Sequence, residues 1–141
     1  MSSFTEPLDF DCVGAGIYKT RHPFRFYLSN DRTGDYVEVP ACFISNGASI
    51  PKSLQALFGW RPMDVRWAQA AFLHDGLVGE TGTQLPIYNA SGAKRYASWS
   101  EAATWFDKAL QVKRANSQSC PPLNRKLFVM GVRLWGVVRR R

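Results

Sequence analysis

An α+β fold, an N-terminal β-hairpin or small antiparallel sheet packed against three to four C-terminal helices, is predicted by a change of hydrophobic period near residue 49. Before that point bulky and polar side chains alternate; beyond it apolar residues recur at spacings of three and four. Five Trp, five Tyr and nine Phe in 141 residues supply one core, so the chain reads as a single domain, 1–141.

The first clear element is a hairpin over about residues 23–40. Phe24, Phe26 and Leu28 fall on one side of an extended chain and Arg25 and Tyr27 on the other, the pattern of a half-buried strand. Asn30-Asp31-Arg32-Thr33-Gly34 supplies turn residues, and Tyr36-Val37-Glu38-Val39 alternates again. Ala41-Cys42-Phe43-Ile44 extends this as a short strand, ending at Asn46-Gly47, a pair that tolerates positive φ.

The helices follow. Ser49 can cap a short one with Pro51 in its first turn, which puts Leu54, Leu57 and Phe58 on one face before Gly59 stops it. A second fits residues 64–77, capped by Asp64, with Trp67, Ala70, Ala71 and His74 stacked along it. The third opens on Ser98-x-x-Glu101, a capping box in which each side chain bonds the other residue's free N–H, and carries an apolar stripe of Ala102, Trp105, Phe106, Ala109 and Leu110. The fourth follows Pro121-Pro122, with Leu123, Leu127, Met130, Leu134 and Val137 facing a partner surface. Trp67 and Trp105 are expected in the core and Trp99 partly exposed. Residues 78–97, with Gly79, Gly82, Pro86 and Gly92 and no sustained period, read as a long irregular loop.

The net charge of +7 is local. Residues 1–112 hold 10 basic and 11 acidic groups, whereas residues 113–141 hold Lys113, Arg114, Arg125, Lys126, Arg133, Arg139, Arg140 and Arg141 and no acid. The excess therefore belongs to a basic C-terminal helix and tail, about 121–141, where Arg125, Lys126, Arg133, Arg139, Arg140 and Arg141 could contact an anionic partner or nucleic acid. Cations in a last helical turn also complement the helix dipole, an explanation that needs no partner. Cys12, Cys42 and Cys120 are widely spaced and lack C-x-x-C pairing, so neither a disulfide framework nor a zinc motif is indicated. No apolar h-region is readable at the N-terminus, and the longest apolar run, Leu127 to Val138, is broken by Arg133 and is short of the roughly 20 residues that span a bilayer.

Two segments concentrate unusual residues: Asn46-Gly47-Ala48-Ser49-Ile50-Pro51 and Ala71-Phe72-Leu73-His74-Asp75-Gly76-Leu77. With Glu101-Ala102-Ala103-Thr104-Trp105-Phe106 and a closing Val132-Arg133-Leu134-Trp135, the chain over roughly residues 20–136 resembles a family of small phage and prophage proteins. That family's signature runs approximately D-G-A-S-I-P, A-x-x-H-D-x-L and E-A-D-x-x-F-x-x-A-L. Two of its acids are replaced, by Asn46 and Ala103, so of a carboxylate and His-Asp cluster this chain keeps His74 and Asp75.

Those residues admit three chemistries. A divalent ion could take His74 and Asp75 as ligands, but catalytic zinc needs three protein ligands, and adjacent helix residues point about 100° apart, so Cys42, Glu80 or His22 would have to complete the set. Ser49 could be a nucleophile with His74 as its base, though no G-x-S-x-G elbow accompanies it. In the packing alternative His74 and Asp75 hydrogen-bond the Asn46-Gly47 turn and lock hairpin to helix, with Ser49, Pro51 and Glu101 as structural motif residues. No cofactor or metal is expected.

The resemblance implies a phage-encoded accessory or structural protein without catalysis, a tail or baseplate component found in the virion and in host cytoplasm during assembly. Its partners would be other phage structural proteins, as a subunit of an oligomer or assembly. The alternatives are a metal-dependent hydrolase of the host cell wall using His74 and Asp75, and a DNA-associated protein acting through the basic helix.

Overall fold

A computed structural model describes residues 3–5, 8–14, 17–28, 34–45, 67–80, 82–112, 125–127 and 129–130. The strands are β1 (Ser3–Phe4), β2 (Phe10–Gly14), β3 (Ile17–Thr20), β4 (Phe24–Tyr27), β5 (Tyr36–Val39), β6 (Ile44–Ser45), β7 (Ile87–Tyr88) and β8 (Lys94–Arg95). Two helices of substantial length are described, α1 (Ala68–Val78) and α2 (Trp99–Leu110). The class is α+β.

The expected hairpin is β4–β5, antiparallel, with Phe24 opposite Val39 and Phe26 opposite Val37. All four side chains are buried, each removal from water being worth about 1.5–3 kcal/mol. Gly34 lies at φ +80°, a left-handed position that glycine adopts without a Cβ penalty.

The arrangement around that hairpin departs from the sequence reading in four ways. First, there are two antiparallel sheets: five strands in the order β1-β4-β5-β7-β8 and three in the order β2-β3-β6. Second, residues 78–97 are not an irregular loop. Ile87 pairs with Val37 and Tyr88 with Tyr36, so β7 extends the hairpin sheet and β8 pairs with β7. The turn between them is held by Asn89, whose Oδ1 accepts from the Ser91 and Ala93 amides at 3.0 Å each. Two-residue strands are too short to show a period, which is why they escape a periodicity argument.

Third, Ala41 and Cys42 form a turn and the strand starts at Ile44. Cys42 takes φ +62°, uncommon for a side-chain-bearing residue, and its N–H donates to the Thr20 carbonyl at 2.8 Å. Fourth, α1 begins at Ala68 with Trp67 at the N-cap position, beyond the expected Asp64 cap, which lies outside the described residues. Ala68 to Leu77 are all buried, so α1 is a central helix enclosed all round rather than an amphipathic one.

The second helix meets expectation at its start. Ser98 is the N-cap and its Oγ accepts from the Glu101 amide at 3.1 Å. The Glu101 carboxylate turns to β8 instead of completing the capping box: its Oε1 accepts from Arg95 Nη1 at 2.5 Å, tying β8 to α2. Ala102, Trp105, Phe106, Ala109 and Leu110 are buried as the stripe predicts, and α2 packs on α1.

Residues 125–127 and 129–130 are helical, and Leu127 and Val129 pack on the core. Met130, expected on the inward stripe, is 55 % exposed. Leu127 thus keeps its expected inward place, and Val129 rather than Met130 joins it there. The expected helix at 49–59, with Ser49, Pro51 and Gly59, lies outside the described residues. No helix among the described residues is long and apolar enough to cross a membrane.

Candidate functional site

Helix α1 brings the His-Asp pair into the middle of the molecule. Its C-terminus is closed by Gly79 at φ +70°, whose amide donates to the Asp75 carbonyl; the Glu80 amide reaches the same oxygen at 3.0 Å. Immediately upstream of that cap, His74 and Asp75 stand on adjacent positions and are 8 % and 4 % exposed. Since consecutive side chains diverge by about 100°, each meets a different neighbour.

Asp75 faces β6. Its Oδ2 accepts from the Ser45 hydroxyl at 2.6 Å, a buried bond between residues 30 apart in sequence. Strand β6 is steered there by Thr20, whose hydroxyl donates to the Pro40 carbonyl at 2.7 Å and accepts from the Phe43 amide at 2.9 Å. Thr20 thus fixes both ends of the turn holding Cys42, and the chain then enters β6 with Phe43 and Ser45 on the buried side.

His74 faces α2. Its ring lies 5.1 Å from that of Phe106 and 6.4 Å, edge-on, from that of Trp99. Its Nε2 is buried and has no hydrogen-bond partner among the described residues. Burial in this aromatic surround pushes its pKa from 6.5 down to about 4, so the imidazole is neutral at neutral pH.

One part of the packing alternative falls on described residues. Asp75 ties strand to helix through Ser45, the residue before Asn46, and His74 Nε2 makes no hydrogen bond among the described residues; the expected contact to the Asn46-Gly47 turn lies outside them. Asn46, Gly47, Ser49 and Pro51 lie outside the described residues. Ser45 was legible as the second inward position of an alternating Phe43-Ile44-Ser45 run, a signal masked by the conspicuous turn pair beside it.

The residues that would complete a metal set are dispersed. His22 is exposed with Nε2 at 3.4 Å from Asp9 Oδ2, Cys42 is exposed, and Glu80 is half-buried beyond the helix cap. Among the described residues no group of three or more His, Cys, Asp or Glu is placed to hold an ion.

Of the basic residues, Arg125 pairs with Asp107 of α2, Nε to Oδ1, at 3.1 Å, and Lys126 is exposed. That ion pair docks the terminal helix on α2 and engages the first of the expected anion contacts inside the molecule. Arg133, Arg139, Arg140 and Arg141 lie outside the described residues.

Comparison with curated proteins and with solved structures gave no match. A family model does match, over residues 22–123, a span that contains the hairpin, the His-Asp helix and all of α2. The chain accordingly belongs to the family described as protein of unknown function, DUF1353.

Proposed function

We propose that this protein is a non-enzymatic accessory or structural protein encoded by a phage, serving as a tail or baseplate component of the virion. The observation that carries the reading is the divergence of His74 and Asp75: the carboxylate bonds Ser45 on β6, while the imidazole packs on Trp99 and Phe106 of α2. A pair that joins a strand to one side of a buried helix and a second helix to the other acts as a structural tie. Exposed apolar groups at the β2–β3 hairpin, Val13 and Ile17, add a surface suited to contact with other assembly subunits. Quantitative mass spectrometry of purified virions tests this. A copy number matching a symmetric ring of the tail or baseplate is expected, and absence from virions refutes it.

A second reading, a metal-dependent hydrolase of the host cell wall, draws support from one feature. His74 Nε2 is a buried, neutral nitrogen without a hydrogen bond among the described residues, the protonation state a metal ligand requires. Stoichiometric zinc in the purified protein, lost in a folded His74→Ala variant, would sink the purely structural reading, and zinc-dependent release of fragments from purified cell wall would establish the hydrolase.

A further inference from the structure

The five-stranded sheet presents a second surface, opposite the core. Its register places Tyr27, Tyr36, Tyr88 and Lys94 in one row, a residue from each of β4, β5, β7 and β8. Their strand neighbours Phe26, Val37 and Ile87 are buried, so by alternation the row lies on the solvent side. The rings of Tyr27 and Tyr36 are 5.1 Å apart and those of Tyr36 and Tyr88 5.5 Å. Beside them Arg25 sits 4.5 Å over the Tyr36 ring, donates from Nη1 to the Tyr27 hydroxyl at 3.2 Å and pairs through Nε with Glu38 at 3.0 Å.

Cross-strand packing explains the rings, but phenylalanine would pack as well. The hydroxyls, turned to the solvent side, are what the row offers a polar ligand. Those of Tyr36 and Tyr88, and the ammonium of Lys94, have no partner among the described residues.

We propose that this face binds an uncharged glycan chain, held by the ring edges and hydroxyls of Tyr36 and Tyr88 with Lys94 at the end of the row. Sugars present hydroxyls and apolar C–H patches side by side, and tyrosine offers the matching pair of surfaces. The charge on the face selects against a polyanion: Glu38 compensates Arg25, leaving Lys94 as the single uncompensated charge of the row among the described residues, whereas a nucleic-acid groove sets several free cations along the phosphates. This inference goes beyond the virion role and does not depend on it.

Isothermal titration of the full chain with cellohexaose, chitohexaose and maltohexaose tests it. At least one should bind saturably. The variant Tyr36→Phe/Tyr88→Phe keeps the ring ladder and removes both hydroxyls, and should bind that glycan about tenfold more weakly at an unchanged unfolding midpoint. If the double variant unfolds, Tyr88→Phe alone makes the same comparison, with a loss of about threefold. Absence of saturable binding by all three glycans, or unaltered affinity in the folded variants, overturns the proposal. So does tighter binding of a thymidine dodecamer with steep salt dependence, which would assign the face to single-stranded nucleic acid.

Discussion

Replacing His74 by phenylalanine isolates the energetic consequence of burying a neutral imidazole. In the unfolded chain His74 takes up its proton near pH 6.5; in the folded protein it does so only near pH 4. Between those values the unfolded state binds more protons, so folding stability falls as the pH is lowered from about 7.5 toward 4 and is fully restored above the unfolded value. A displacement from 6.5 to about 4 is worth about 3 kcal/mol at the acid end. The substituted phenylalanine would keep an aromatic ring against Trp99 and Phe106 and carry no orphaned nitrogen, which should add about 1 kcal/mol at pH 8. Urea unfolding followed by tryptophan fluorescence, with Trp67 and Trp105 buried as reporters, gives the stability of both proteins at intervals from pH 8 to 4.5. Every other side chain is common to the two proteins, so its contribution cancels in the difference. The gap between variant and wild type should widen from about 1 to about 4 kcal/mol across that range. Parallel curves would refute the reasoning, because they would mean that protonated His74 finds compensation in the folded state.

Two further perturbations address the tie and the packing around it. Ser45→Ala removes the hydroxyl from a carboxylate that is buried beside it, so a loss of about 2 kcal/mol is expected; in a double-mutant cycle with Asp75→Asn, a coupling energy below about 0.5 kcal/mol would show that the bond contributes nothing specific. Gly76→Ala tests a close approach: an added Cβ would stand 2.5 Å from Leu85 Cδ1 and 3.1 Å from Leu85 Cγ, while the Leu85 amide is bonded to the Gly76 carbonyl at 2.7 Å. Overpacking should outweigh the roughly 1 kcal/mol that alanine gains in a helix, leaving a net loss of about 1 kcal/mol by denaturant midpoint, and a more stable variant would contradict it.

The parts of this protein legible from its residues are those in which neighbours along the chain suffice. The β4–β5 hairpin follows from alternation around a turn, and the start of α2 from a serine three residues before a glutamate. Asp75 was identifiable as a locking residue, since a carboxylate inside an apolar run must find a donor. Tertiary structure decided the rest. Strands of two residues at 87–88 and 94–95 exist because β5 offers an open edge, and no local period announces them. Which hydroxyl meets Asp75, and that the ring of His74 turns away from it among aromatic side chains, depend on how β6 and α2 close on opposite sides of α1. A period fixes which face of a segment is apolar, whereas a hydrogen bond between residues 30 apart requires the packed geometry of both segments, and that information is spread over the whole chain.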